Sequence, residues 1–354
     1  MYNDVIMAII KGVGDFFGLD IGTNAVRVVQ LGSDGSGKWS LRHYGYAPVD
    51  IKTATANSVE ARNRLGEVIM TVVGQSGIKT KNVAIGLAAN KSFVTVIDMP
   101  LTSEAELKST IKYQLDQYIP MNLEDAKVDW ALLGKSLHDP SKQEVLLAST
   151  SIAYTEERLE LVESLGFDVI AAEPEPLAAI RALATSGVQG AQVIVDVQDQ
   201  SINVGVVYDG APRLVRSIPS GLNTLVHAAV QNLNVQEDQA RQFVLKFGLA
   251  PDKLEGQVVR ALESTVEGVA SELLKSIKFF QTRYPSITVD SILLAGYASV
   301  IPELDKYIAS KIGIQAMVAN PWQKVSVPSN DQNFLSVAAE FSVAVGLAER
   351  GSKV

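Results

Sequence analysis

The stretch Gly18-Leu-Asp20-Ile-Gly22-Thr23-Asn24, continued by Ala25-Val-Arg27-Val28, ends an apolar strand on an aspartate and then turns through a glycine beside a hydroxyl. Such a turn offers backbone N–H groups and a hydroxyl to a polyphosphate, while the carboxylate can hold Mg2+ or its waters. Taken alone, Asp-Ile-Gly-Thr is an ordinary hairpin turn. It gains weight from a second carboxylate in the same setting, Val195-Asp196-Val197, ahead of Ser201 and a second hairpin. Two such loops, one on each of two lobes, are expected to face each other and clamp one nucleotide.

Outward from these loops, strands and helices alternate, the pattern of an α/β protein. Phe16–Ile21 and Ala25–Leu31 flank the first turn, Gly32–Lys38 is a turn rich in glycine and serine, and Trp39–Ala47 is a returning strand. An amphipathic helix with Leu65, Val68, Ile69, Val72 and Val73 on one face leads to a short strand at Asn82–Leu87. Residues 91–150 form a unit of their own that reads strand, helix, strand, strand. Its helix, over 104–119, starts at a capping box of Ser103 and Glu106 and is stopped by Pro120. Around the second loop, Gln192–Val197 and Ser201–Asp209 are strands. Helices are expected near 222–233, 236–247 and 255–283, then a strand at Ser291–Leu294 and helices at Pro302–Ile312 and Phe334–Glu349. The recurrence of strand, Asp, turn and strand near positions 20 and 196 marks a weak internal duplication.

The chain has 354 residues, beyond the size at which one hydrophobic core stops growing, so two lobes are expected. A formal charge of −8 leaves no excess of cations to neutralise phosphates, which argues against general nucleic-acid binding. There are no cysteines, which removes disulfides, thiol nucleophiles and thiolate metal sites together. The 3 histidines are far apart in sequence and form no metal-ligating spacing. The first 18 residues carry apolar side chains at helical spacing, Val5, Ile6, Ile9, Ile10 and Val13 among them. They lack a basic leader region and a small-residue cleavage site, and no run of apolar residues is long enough to span a bilayer. The expectation is a short helix packed on the domain and a cytoplasmic protein.

Two phosphate-loop lookalikes are set aside. Gly32-Ser-Asp-Gly-Ser-Gly37-Lys38 matches the start of a Walker loop, but Trp39 stands where a Mg2+-binding Ser or Thr belongs, and a strand follows instead of a helix. Gly12-x-Gly14-x-x-x-Gly18 precedes a strand instead of following one, so it fails as a dinucleotide fingerprint.

With these removed, Asp20-Ile-Gly22-Thr23 resembles the first phosphate loop of the superfamily of actin, sugar kinases and the DnaK chaperone. Val193–Val197 with Ser201 resembles its second loop. Glu173-Pro-Glu175-Pro-Leu-Ala-Ala-Ile resembles its connecting helix, and Ala295-Gly296-Tyr297-Ala298 with Ile301-Pro302 its adenosine motif. Within that superfamily, Met99-Pro-Leu-Thr-Ser, Tyr118-Ile-Pro-Met121 and Val128-Asp-Trp130-Ala-Leu-Leu133-Gly resemble the inserted subdomain, often called 1C, of PilM proteins of type IV pilus machines.

The resemblance implies an α/β, actin-like ATPase fold: two lobes on ribonuclease-H-like sheets with an inserted βαββ subdomain. The implied division is a first core of 13–90 with 151–190 and 334–350, the insert at 91–150, a second core of 191–230 with 285–333, and a helical subdomain at 231–284. It implies ATP with Mg2+ as cofactor, bound by Asp20, Gly22, Thr23, Asn24, Asp196, Ser201, Gly296 and Tyr297. Asp20 and Asp196 would serve the metal, and Glu175 would orient an attacking water. The implied partner is a PilN-like inner-membrane protein, whose N-terminal cytoplasmic peptide would lie in a groove near the insert. The protein would then be cytoplasmic and peripheral to the inner membrane, within a larger machine and open to homo-oligomerisation.

Three nucleotide elements depart from the superfamily pattern. Gln198, followed by Asp199 and Gln200, stands where bare glycine backbone usually approaches phosphate. Ala295-Gly296-Tyr297 replaces paired glycines, and Arg241 replaces a Glu at the nucleoside edge. The expectation is therefore a scaffold that binds MgATP weakly and hydrolyses it negligibly. The alternatives weighed are an ATP-hydrolysing enzyme, which needs Glu175 and both Asp residues to converge, and an FtsA-like division protein, expected to end in a linker and a membrane helix.

Overall fold

The computed structural model describes residues 14–33, 39–56, 58–327, 334 and 338–351. The apolar segment before residue 14 and most of the Gly32–Lys38 turn lie outside the described residues. The chain divides into two compact units.

The first unit opens with β1 (Phe17–Ile21), β2 (Ala25–Ser33) and β3 (Trp39–Pro48), which pair as an antiparallel run. Then come α1 (Ile51–Thr55) and α2 (Val59–Ser76), the latter capped by the Ser58 hydroxyl and closed by Gly77 in the left-handed region. β4 (Asn82–Leu87) follows, parallel to β1. Every residue of β1 is buried because β2 and β4 flank it and α2 covers one face. Leu65, Ile69 and Val72 of α2 pack there with Phe17, Leu19, Val26, Val28 and Ile85.

The insert comprises β5 (Ser92–Pro100), α3 (Glu104–Thr110), β6 (Ala126–Lys135) and β7 (Lys142–Ser151), a three-stranded antiparallel sheet in the order β5-β7-β6 with one helix. Ile97, Met99, Leu107, Ile111, Val145 and Leu147 give it a core of its own. The capping box forms as expected: the Ser103 hydroxyl accepts from the Glu106 amide at 3.3 Å, and the Ser103 amide donates to Glu106 Oε2 at 3.1 Å. The helix, however, stops at Thr110 instead of 119, and 3-10 turns carry the chain on through 111–113 and 115–117. The hydroxyls of Ser109 and Thr110 both donate back to the Glu106 carbonyl at 2.8 Å, which competes with continued helical bonding. α4 (Ile152–Ser164) and β8 (Asp168–Pro174) return the chain to the first sheet, where β8 pairs in parallel with β4, and α5 (Glu175–Leu183) leads out.

The second unit starts with β9 (Ala191–Val197), β10 (Ile202–Tyr208) and β11 (Ala211–Ile218), again antiparallel. β11 is absent from the sequence expectation, although its signal is there: Asp209 and Gly210 have φ of 51° and 68°, the doubly positive two-residue turn that an Asp-Gly pair favours. α6 (Leu222–Leu233), α7 (Glu237–Phe247) and α8 (Gln257–Arg283) follow, then β12 (Val289–Gly296), α9 (Leu304–Ile312) and β13 (Ala316–Val318). The sheet order β11-β10-β9-β12-β13 repeats β3-β2-β1-β4-β8 strand for strand, with the same parallel and antiparallel senses. The duplication glimpsed around Asp20 and Asp196 thus extends through both sheets, and both aspartates lie on the central strand.

Residues 322–327, expected with the second core, instead join the first unit: β14 (Val325–Ser326) extends the first sheet beside β3. Trp322 packs its ring on Phe341, with centroids 5.6 Å apart. The final helix, expected over 334–349, is helical from Ser342 to Ala348 (α10) with 3-10 turns on either side. α10 is buried along its whole length, which explains why its sequence is apolar all round.

Candidate functional site

In the first unit, β1, β4 and β8 run parallel, so the carboxylate of Asp20 and the start of α5 lie at the same, C-terminal edge of the sheet. That edge is where open α/β sheets receive ligands. Asp20 pairs across the hairpin with Arg27, and both are buried. Arg27 Nη1 donates to Asp20 Oδ2 at 3.4 Å, Nη2 donates to Asn24 Oδ1 at 3.2 Å, and the guanidinium lies 5.4 Å over the Tyr46 ring. Arg27 thus orients both Asp20 and the turn residue Asn24.

Gly22 donates its amide to the Ala25 carbonyl at 3.0 Å, and a Cβ there would sit 3.0 Å from that oxygen and from Arg27 Nη1. A Cβ would therefore crowd this tight turn, which leaves Gly22, Thr23 and Asn24 partly exposed. Of the two glutamates in the Glu-Pro-Glu-Pro motif, only Glu175 belongs to the helix. It opens α5 and is partly buried, whereas Glu173 lies near the end of β8 and is spent in an ion cluster with Arg181 and Arg350.

In the second unit, Asp196 lies near the C-terminal end of β9, beside the parallel β12 whose Gly296 is in register with Val197. Gly296 has φ of 58°, and a Cβ on it would come within 2.6 Å of Asp196 Oδ1, so glycine is required there on both grounds. Gln198 closes its own turn through its amide to the Ser201 carbonyl at 2.8 Å, and its side chain donates to Asp196 Oδ2 at 2.7 Å. The carbonyls of Gln198 and Asp199 accept from the amides of Leu222 and Asn223 at the start of α6, at 2.9 and 3.0 Å. Ser201 is partly exposed.

Beyond that turn the three departures meet. Arg241 Nη2 donates to Asp199 Oδ1 at 2.9 Å and to the Tyr297 hydroxyl at 3.0 Å, and that hydroxyl donates to Asp199 Oδ2 at 3.3 Å. Arg241 Nη1 reaches Asn223 Oδ1 at 3.3 Å, and its guanidinium lies 5.4 Å over the Tyr297 ring. The repulsion toward a polyanion expected from Asp199 is therefore offset by Arg241.

Tested against Mg2+ with a polyphosphate, the first loop fits: it has a tight glycine turn in which a Cβ would be crowded, an adjacent hydroxyl and an oriented carboxylate. The second loop fits less well, because Gln198 holds one oxygen of Asp196. Replacing Gln198→Gly frees that oxygen and bares the backbone. It is expected to tighten MgATP binding about tenfold, or roughly 1.4 kcal/mol, in calorimetric titration. A weakened affinity would make Gln198 a ligand contact instead.

Sequence reasoning missed Arg27, although it stands as far beyond the turn as Asp20 stands before it. It also missed a cluster in the insert, where the His138 ring nitrogens face Asp98 at 3.2 Å and Glu144 at 3.7 Å. Nε2 addresses Asp98, while Nδ1 lies closer to the Ser136 hydroxyl, at 3.2 Å, than to Glu144.

Comparison with known proteins follows the same lines. The family model described as type IV pilus assembly protein PilM matches residues 18–352. Among solved structures, the fold is similar to that in a PilM–PilN type IV pilus biogenesis complex, with a TM-score of 0.81, 18% identity, and coverage of 96% of this chain and 99% of the other. It is also similar to the ethanolamine utilization protein EutJ from Carboxydothermus hydrogenoformans (TM-score 0.54, 15% identity, covering 97% and 92%). A third is MreB5 of Spiroplasma citri bound to AMPPNP (TM-score 0.52, 9% identity, covering 94% of each chain). These neighbours establish the actin-like ATPase fold.

Proposed function

The chain belongs to the PilM family of type IV pilus assembly proteins, and from that premise we propose that it is a cytoplasmic scaffold which takes up the N-terminal peptide of a PilN-like inner-membrane protein. The observation that carries this is the family match along nearly the whole chain, joined to a fold shared end to end with a protein solved in a PilM–PilN complex. Among the described residues no helix is long and apolar enough to cross a membrane. The partner would therefore supply attachment to the inner membrane.

The peptide's place is the insert. Leu101 and Tyr113 are large apolar side chains left exposed at 49% and 84%, the former just after β5 and the latter just after α3. Apolar anchors of the peptide would meet such side chains, and backbone hydrogen bonds would set its register. Calorimetric titration with a synthetic PilN-type N-terminal peptide is expected to give saturable one-to-one binding. No binding at millimolar peptide would overturn the scaffold reading.

ATP with Mg2+ is the proposed cofactor, supported by the fold shared with the AMPPNP-bound MreB5 and by the geometry of the first loop. Gly22, Thr23 and Asn24 would take the phosphates, Asp20 and Asp196 the metal or its waters, and Ser201, Gly296 and Tyr297 the rest of the nucleotide. When bound, MgATP would supply a polyanion and a divalent cation to these groups. Glu175 would hold a water by hydrogen bonding, and the hold of Gln198 on Asp196 favours binding without turnover.

A further inference from the structure

Asp199, Arg241 and Tyr297 come from three separate elements: the turn after β9, the middle of α7 and the turn after β12. Each is a separate departure in the sequence, yet together they form a closed ring of contacts at 2.9, 3.0 and 3.3 Å. The ring is asymmetric in its exposure to water. The Asp199 side chain is 7% exposed, whereas that of Arg241 is 34% exposed. The anion is thus fixed in the protein and the cation faces outward.

Asp199 would also keep a partner if Arg241 left, because the Tyr297 hydroxyl donates to its other oxygen. A buried ion pair whose anion has no second donor would be costly to open, since the stranded carboxylate would stay desolvated. This one can open at its cationic side. A planar guanidinium released there is suited to grip phosphate oxygens in pairs.

We propose that Arg241 is a ligand-binding residue of the second unit, latched to Asp199 and Tyr297 as seen here and transferred to the phosphates of a bound polyphosphate anion. The inference rests on the nucleotide reading of this site. It adds a cation that the family pattern, with Glu at this position, would not supply. Asp199 is then the competitor that sets the affinity: binding must displace a carboxylate already in contact with Arg241. The ligand chemistry is a polyphosphate, supplied by a nucleoside triphosphate or by inorganic tripolyphosphate.

The test is a double-mutant cycle read by titration with MgATP and, separately, with magnesium tripolyphosphate, on the full chain. Asp199→Asn removes the competing charge and keeps the shape, and it is expected to tighten both ligands about tenfold. Arg241→Gln alone is expected to weaken both, because it removes the cation and bares Asp199. In the Arg241→Gln background, Asp199→Asn should bring little of that gain, because no cation is left to release, so that the two changes are strongly non-additive. Tyr297→Phe removes the second donor to Asp199 without changing charge and covers the case in which Asp199→Asn fails to fold. Opening would then strand the carboxylate, so magnesium tripolyphosphate should bind about threefold more weakly, and unchanged or tighter binding would overturn the proposal.

If MgATP tightens and tripolyphosphate does not, the nucleoside rather than the phosphate is the partner, and the proposal is wrong. Unchanged or weaker binding by Asp199→Asn also overturns it and leaves the ring a structural tie. So does an absence of binding in every variant. Titrating the same samples with the PilN-type peptide separates the two failures: retained peptide binding leaves the scaffold reading standing while the latch falls.

Discussion

Replacing Glu173 with alanine is expected to destabilise the protein by about 3–5 kcal/mol, the range for breaking a buried ion pair from one side. Glu173 is 1% exposed and accepts from two guanidiniums at once. Arg181 grips it in bidentate fashion at 2.6 and 2.7 Å, and Arg350 reaches Oε2 at 2.6 Å. Burial by itself would raise the Glu173 carboxyl, but the two arginines overcome that and hold it below the ordinary glutamate range. Alanine would leave both cations in the interior with no anion at this place. It would also free the C-terminal segment, because Arg350 follows α10 and Arg181 fastens the Gly346 carbonyl within it at 2.6 Å.

Glu349 provides the contrast. Burial pushes its carboxyl up to about 7, from an ordinary 4.5, despite Lys324 at 3.7 Å. A carboxyl raised on folding favours the native state most in acid, and that contribution fades as pH rises from 4.5 through about 7. Glu349→Gln should therefore cost little near pH 7 and flatten the pH dependence of the melting temperature between pH 5 and 8. Chemical denaturation of both variants, with the melting curve taken across pH, checks the pair. A loss below 1 kcal/mol in Glu173→Ala would show that the arginines find other partners.

The backbone was far more legible than the site. Apolar runs beside glycine turns gave β1, β2, β4, β9 and β10 nearly to the residue, because a buried strand admits few other patterns. What escaped were elements whose signal is not hydrophobic periodicity. β11 is announced by Asp209-Gly210 instead of by alternation, α3 is shortened by hydroxyls that bond back to a carbonyl, and the two-residue β14 is too short to have any period. At the site, each candidate residue could be named from its motif, but the contacts between them could not. Asp199 is 42 residues from Arg241 and 98 from Tyr297. In sequence these are three separate departures; in the structure each supplies what another lacks. Arg241 alone looks like a lost ribose ligand, and Asp199 alone looks like a misplaced charge. Only the fold shows that the charge reversal at one position answers the charge gained at the other.

Removing residues 91–150 is expected to abolish peptide binding while the rest of the chain stays folded. The insert leaves and re-enters the first unit at one place. Ser92 is paired with Thr150, and the Thr150 hydroxyl donates to the Lys91 carbonyl at 3.1 Å. Cα atoms of an antiparallel pair lie about 4.5–5.5 Å apart, so a link of one or two residues closes the gap. The insert also carries its own core around Leu107 and Val145, distinct from the core of the main sheet around Ile69 and Ile85. Between them the deletion breaks the ion pair of Lys127 with Glu156 at 3.5 Å, which has an exposed acidic partner and is worth less than about 1 kcal/mol, and the buried contact of the Thr155 and Thr150 hydroxyls at 3.4 Å. The truncated chain should therefore melt cooperatively. Its affinity for the PilN-type peptide should fall at least a hundredfold, about 2.7 kcal/mol or more. Should the truncated chain aggregate, Tyr113→Ala tests the same surface without risk to the core, since that side chain is 84% exposed, and a loss of about tenfold is expected. Circular dichroism and calorimetry on the same samples decide the matter: a folded truncation that binds the peptide as tightly as the full chain would place the groove outside the insert.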